Sequence, residues 1–442
     1  MVGAGCEGMR ERPAQCVGRP DAAQAAACGR GYACDARSTW KRSVMNPPLP
    51  DAAAIVSALE SAGARAVLVA AGGGSEAISH LVTCPGASGV ILEAAVASAR
   101  PAVDGWLGGP PESYCAPGTA RLLAMAAFQR ACVLARHDMP PADATAAACG
   151  VGVTAGLRTR GPKRGEHRIF VAVQRLAATR VAGLVLEKGA RSRAEEERIA
   201  AALVLEMLVA ETEAPGAAVT LAGRLRDGEH LCDERCEARP AWRDLLAGTR
   251  LVAAAGDDAA VPVAGGLVFP GSFNPLHDGH RRMAVLAEEI AERPVEYEIS
   301  VTNVDKPTLD YREITARIAS LQADEAAGRR RLWLTRAATF LEKIEVFPES
   351  TFVMGADTFT RLADPRYYGG SAAAAEDALR RIATGTRGLI VFGRERDGAF
   401  VDPSRLDLPD TLRSVTYFVS PREFRMDISS TQLRRAARPH EE

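Results

Sequence analysis

Two histidines, His277 and His280, stand three residues apart in the stretch Gly271-Ser-Phe-Asn-Pro-Leu-His-Asp-Gly-His280. Imidazoles donate hydrogen bonds and take up charge near neutral pH. At this spacing on a helix they share a face, and a helix N-terminus with its free N–H groups attracts anions. An apolar strand at 266–269 precedes the turn, and an amphipathic helical pattern over 281–290 follows it. Gly271 permits a tight turn, while Ser272 and Asn274 offer polar groups beside it. Gly279, between the histidines, removes a side chain where a phosphate would approach. A lone His pair is commonly structural or exposed, so the weight falls on this context, which suits a polyphosphate.

A second motif lies far downstream, Met426-Asp-Ile-Ser-Ser-Thr-Gln-Leu-Arg-Arg435. Ser429, Ser430 and Thr431 are N-cap residue types ahead of a basic helix that carries Arg434 and Arg435. Between the two motifs, Phe352-Val-Met-Gly-Ala-Asp357 is an apolar strand whose end carries Gly355 and Asp357. Another strand ends in Asn303, Asp305 and Lys306, and a third in Arg394. Each could be a solvated strand end. Together they predict one binding crevice at the carboxyl edge of a sheet, where open α/β sheets bind their ligands.

The elements that would position these groups form a unit over 263–442, with strands expected at 266–269, 296–301, 331–335, 351–354, 388–392 and about 414–419. An earlier unit over 47–215 also alternates. Helices are expected at 52–62, 75–81, 119–136 and 191–209, and strands at 66–70, 89–92, 149–156, 168–174 and 180–186. Alternation of this kind predicts layered α/β domains. Residues 216–262 are rich in loop formers and read as a linker. Residues 1–46 read as a disordered extension with the Arg content of a transit peptide; against that, they carry Glu7, Glu11, Asp21 and Asp35, and Met45 is an alternative start.

At 442 residues, 47% hydrophobic and 25% charged, the chain has a globular composition and room for about two or three domains. A net charge of −1 gives no global electrostatic case for nucleic acid or a membrane surface. No apolar run approaches the roughly 20 residues of a membrane span. The ten cysteines are scattered and read as reduced thiols. The expected compartment is the cytoplasm, with the nucleus also open, and an organelle if the first 46 residues act as a transit peptide.

The histidine stretch resembles the His-x-Gly-His signature of the nucleotidyltransferase superfamily. Ile428-Ser-Ser-Thr-Gln-Leu-Arg434 is similar to a motif of nicotinamide and nicotinate mononucleotide adenylyltransferases, as are the segments 301–307 and 355–357. The resemblance covers about 265–437 and implies a Rossmann-like parallel sheet. It further implies transfer of an adenylyl group from ATP, with Mg²⁺, to a pyridine mononucleotide, giving NAD and pyrophosphate. By carry-over, His277 and His280 hold the triphosphate, with Ser429, Ser430, Thr431 and Arg434 opposite. Gly271, Ser272 and Phe273 join the phosphate site, Gly355 and Asp357 meet the ATP ribose, and Asn303 and Lys306 face the mononucleotide phosphate. An aromatic ring against the pyridine is also implied, with Phe340 and Trp333 as candidates and core packing as the alternative for each. No dedicated protein site for a metal, no nucleic-acid partner and no membrane partner are expected.

Residues 51–210 resemble the C-terminal domain of CinA-type nicotinamide-nucleotide amidases through Leu81-Val-Thr-Cys-Pro-Gly-Ala-Ser88, Gly150-Val-Gly-Val-Thr154 and Arg193-Ala-Glu-Glu-Glu197. The nucleophilic serine of that family falls at about Ala71, and its Tyr and Lys positions fall among 97–102, where neither is kept. Thr154 remains, and Ser75 could substitute only in a shifted register. Alanine has no hydroxyl to attack with, so this CinA-like α/β domain is expected to be non-catalytic. Pyridine-nucleotide binding and self-association into a homo-oligomer remain open for it. Cys232, Cys236 and His230 lack a fourth zinc ligand nearby, and His80, His137 and His167 read as structural or exposed. Two competitors stay open for the whole chain: adenylyl or cytidylyl transfer to another phosphorylated acceptor, and a nucleotide-binding scaffold without turnover.

Overall fold

The computed structural model describes residues 48–161, 164–213, 221–304, 306–396, 399–405 and 410–424. The first of its two large sheets is built from α1 (Ala52–Ser61), β1 (Arg65–Ala71), α2 (Ser75–Val82), β2 (Ile91–Val96), α3 (Arg100–Leu107), α4 (Pro117–Ala135) and α5 (Pro141–Ala147). It continues with β3 (Ala148–Gly156), β4 (His167–Gln174), β5 (Ala178–Leu186), α6 (Arg193–Thr212) and β6 (Leu231–Glu237). The strand order is β2-β1-β3-β4-β5-β6, parallel around β1 and antiparallel from β3 onward. Both faces are covered, which is why β1 reads as a continuous apolar run. Ile55, Leu81 and Leu203 pack on one side of it, and Val103, Leu123 and Phe128 on the other. Gly150 and Gly152 let α4 lie almost on the sheet: a Cβ on either would stand 2.1 or 2.2 Å from a carbonyl oxygen of that helix. Those two glycines serve packing.

The second sheet follows α7 (Pro240–Ala247). It contains β7 (Val252–Ala254), β8 (Leu267–Pro270), α8 (Asp278–Ala291), β9 (Val295–Ser300), α9 (Tyr311–Gln322), β10 (Leu332–Thr335), α10 (Phe340–Val346), β11 (Thr351–Gly355), α11 (Ala356–Leu362), α12 (Ala372–Gly385) and β12 (Gly388–Phe392). A short antiparallel pair, β13 (Arg394–Arg396) and β14 (Ala399–Val401), precedes α13 (Asp410–Arg413) and β15 (Thr416–Val419). The order is β15-β12-β11-β8-β9-β10-β7, parallel throughout except at the β7 edge. From β8 the chain winds outward through β9 and β10, then crosses back to β11. The sheet therefore reverses its winding between β8 and β11, and that junction is where such sheets hold ligands.

The stretch expected as a linker is corrected here. β6 extends the first sheet and β7 the second, with α7 between them. β6 alternates no apolar residues because it is a charged edge strand, Asp233 to Arg235 facing solvent, the composition that discourages edge pairing. The two sheets lie in a single compact unit, Asn46–Glu442. Tyr311 ties them, its hydroxyl donating to the Leu176 carbonyl at 2.7 Å and its N–H to Thr179 Oγ1 at 3.1 Å. Gln129 donates to Thr308 Oγ1 at 2.9 Å, and Arg121 Nε to Asp310 Oδ2 at 3.0 Å. Among the described residues no helix is long and apolar enough to cross a membrane.

Candidate active site

The turn after β8 is held by its neighbour: Gly271 N–H donates to the Glu298 carbonyl on β9 at 2.9 Å. Phe273 follows with a positive φ of 43°, a conformation uncommon for a bulky residue. Its fully buried ring offsets that cost, packing edge-on against Phe269, Tyr297 and His280 with centroids 5.3, 4.9 and 5.1 Å away. A Cβ on Gly271 would stand 2.6 Å from this ring, so glycine is required here by packing; its φ is not positive, and the turn itself does not demand it. Phe273, expected in the phosphate site, is corrected accordingly. Its side chain is core, and only its backbone faces the turn.

His277 is the N-cap of α8, and His280 stands one turn in. Their rings stack at 3.7 Å between centroids, tilted by 24°. His277 is 9% exposed, and His280 Nδ1 is buried with no hydrogen-bond partner among the described residues. Burial pushes the His280 imidazole down to about 3, with the nearby charges of His277 and Arg281 adding to the shift. Arg281 itself is turned away, bonded to Asp278 at 2.6 Å and to Asp324 at 2.5 Å. The site thus holds a neutral imidazole with an unused nitrogen on the first turn of a helix. Such a group gains on both counts from an arriving anion.

Beside this turn lies a cavity of about 1560 Å³, lined by Gly271, Ser272 and Asn274 from the β8 turn, by Ser300 at the end of β9 and by Asn303 and Lys306 after it. Ala338 and Thr339 after β10, and Thr358 and Arg361 on α11, extend the lining. Segments that end or follow four parallel strands therefore border one crevice. Gly355 ends β11 and caps α11, with Asp357 in its first turn, and neither lines this cavity. Trp333 is fully buried and belongs to the core, whereas Phe340, 8% exposed, reaches the cavity wall. Asp305, Ser429, Ser430, Thr431 and Arg434 lie outside the described residues.

Residues 268–436 match the cytidylyltransferase-like family. This C-terminal region is therefore nucleotidyltransferase-like, and the histidine turn and the post-strand segments that border the cavity fall within it. Among solved structures, the chain is similar to the competence/damage inducible protein CihA from Agrobacterium tumefaciens. The identity is 20%, over 37% of this chain and 98% of that one, with a TM-score of 0.27. No curated protein matches the chain.

Within the nucleotidyltransferase-like half, the sequence reading missed an ion pair. Lys343 Nζ on α10 donates to Glu298 Oε2 at 2.7 Å, to Ser300 Oγ at 2.5 Å and to the Ala337 carbonyl at 3.0 Å. Glu298 is fully buried and Lys343 is 5% exposed, and both line the cavity floor. The signal was a carboxylate inside a strand covered on both faces, which needs a partner. In the first half, the Gly72–Gly74 turn is filled by protein. Glu197 Oε1 accepts from Ser75 Oγ at 2.9 Å and from Glu76 N–H at 3.2 Å, and Arg193 donates to the Gly72 carbonyl at 2.8 Å. A carboxylate already occupies this helix N-terminus, so the turn disfavours a phosphate. Ser75 is committed to that carboxylate, and Thr154 Oγ1 to the Ala116 carbonyl at 3.3 Å.

Proposed function

We propose that the C-terminal half transfers an adenylyl group from MgATP to the phosphate of a pyridine mononucleotide, giving NAD or its nicotinate analogue and pyrophosphate. The observation that carries this reading is the stacked His277–His280 pair at the first turn of α8, beside the point where the sheet reverses its winding. A phosphate oxygen of the mononucleotide attacks the α-phosphorus of ATP. The bond from that phosphorus to the bridging oxygen breaks, and pyrophosphate leaves with the charge. The protein's part is to position both reactants and stabilise the leaving charge. In this reading His277 and His280 lie along the triphosphate, and Ser429, Ser430, Thr431 and Arg434 are assigned to its other side. Gly355 and Asp357 are assigned to the ribose, and Asn303 and Lys306 to the acceptor phosphate. Among the described residues no group of three or more His, Cys, Asp or Glu is arranged to hold a metal; Mg²⁺ enters on the triphosphate oxygens as part of the substrate and lowers their charge.

The test is direct. The full chain, given ATP, Mg²⁺ and either mononucleotide, should release a dinucleotide and pyrophosphate in equal amounts. Replacing one group that stabilises the leaving charge costs about 10²–10³ in kcat, the loss expected for His280→Ala. If wild type reacts with neither mononucleotide faster than this variant, the reading fails. The family match favours a second reading, with CTP as donor or another phosphorylated acceptor. CTP and a panel of such acceptors in parallel assays separate the two.

A further inference from the structure

The cavity at the strand ends is not enclosed by the C-terminal half alone. Its lining continues across the junction into Arg100 of α3, Tyr114 and Ser113 of the loop before α4, and Arg121 of α4. The cations that face it fall into two sets. Arg121 is paired with Asp310 at 3.0 Å and Glu313 at 3.6 Å, Arg317 with Glu313 at 2.9 Å, and Lys343 with Glu298 at 2.7 Å. Arg100, Lys306 and Arg361 line the same cavity, are exposed, and have no acidic partner among the described residues. They come from three separate elements, and only this assembly of the two halves brings them to one space. Arg100 is also placed, its guanidinium 5.1 Å from the Tyr114 ring centroid, while Tyr114 is anchored by its hydroxyl to Asp104 at 2.9 Å.

We propose that the first half is a wall of the acceptor site, with Arg100 supplying a charge to a phosphorylated sugar bound between Lys306 and α3. This rests on the acceptor reading above, since it makes Arg100 a binding residue for the same substrate. The buried Arg121–Asp310 tie keeps that wall in register, because Asp310 also caps α9 directly after the loop that carries Lys306. The experiment uses the full chain, with Arg100→Gln, Arg100→Lys and Lys306→Gln beside wild type. Ribose 5-phosphate, the end common to all mononucleotide acceptors, is titrated by calorimetry, and KM for mononucleotide and ATP is measured where turnover occurs. Loss of one charge-assisted bond predicts about tenfold weaker sugar-phosphate binding in Arg100→Gln, with partial recovery in Arg100→Lys. Acceptor KM should rise in step, leaving ATP KM and kcat near wild type. If wild type binds ribose 5-phosphate and Arg100→Gln weakens it while neither mononucleotide reacts, the wall stands and the pyridine acceptor falls. If wild type does not bind ribose 5-phosphate, or Arg100→Gln binds it as wild type does, the proposal is overturned whatever the acceptor.

Discussion

His280 allows the sharpest test of how this site is built. Its folded-state value of about 3 lies below the ordinary histidine value of 6.5. Between those two values the unfolded chain takes up a proton at this position and the folded chain does not. Stability therefore falls as pH drops from 6.5 toward 3, and the folded state bears a penalty that grows by about 1.4 kcal/mol per pH unit. Replacing the imidazole with a group of similar size that does not titrate removes that penalty. For His280→Asn the linkage gives a difference of about 2 kcal/mol at pH 5 and about 0.1 kcal/mol at pH 7.5. The substitution also costs packing against Phe273 and Phe269, whose ring centroids lie 5.1 and 6.1 Å away. That cost does not depend on pH, so the quantity to read is the slope. Urea unfolding followed by tryptophan fluorescence at pH 7.5, 6.5, 5.5 and 5.0 supplies it. The wild-type curve should descend toward acid more steeply than the variant's. Parallel curves would show that His280 is not held neutral by its surroundings. Saturating MgATP adds a second readout. An anion against the imidazole raises its pKa, so the wild-type acid slope should flatten when the nucleotide is present.

Two further substitutions probe the scaffold. Lys343→Met should destabilise the chain by about 3–5 kcal/mol, because it strands the buried Glu298 carboxylate, and adding Glu298→Gln should recover much of that loss in urea melts. Gly271→Ala drives a methyl into the Phe273 ring and should cost about 1–3 kcal/mol; the same change in a Phe273→Leu background should cost less, and equal costs would mean that the ring is not what excludes the side chain.

Most of the regular structure could be read from periodicity. The six strands expected between 263 and 442 are all present within about two residues of their limits, since short apolar or alternating stretches between helices have few alternatives. Gly271 was expected for a tight turn, but its φ is not positive; the Phe273 ring folded back over it is what excludes a side chain, and nothing local reveals that. β6 was missed because an edge strand selects charge over alternation, and β7 because three residues carry no period. The pairs that organise the cavity were out of reach for a different cause. Glu298 and Lys343 are 45 residues apart, and Arg121 and Asp310 are 189 apart. Each has an ordinary composition around it, and only the tertiary fold makes them partners.

The division of charge around the cavity bears on why the first half is present at all. Its turn at Gly72–Gly74 is closed by Glu197, which accepts from Ser75 and the Glu76 N–H. Yet α4 buries Arg121 against Asp310 at the junction, in a pair where removing either partner would leave a costly buried charge. A tie of that kind holds geometry more than it adds stability. What it holds is the loop from β9 to α9, which carries Lys306 midway and ends at the α9 cap, Asp310. A surface loop of this length is mobile unless side chains tie it down. Pinned at Thr308 and Asp310 by α4, it presents Lys306 toward the same space as Arg100. On the acceptor reading proposed above, the first half is needed as the surface against which this loop is set, whatever chemistry it has of its own.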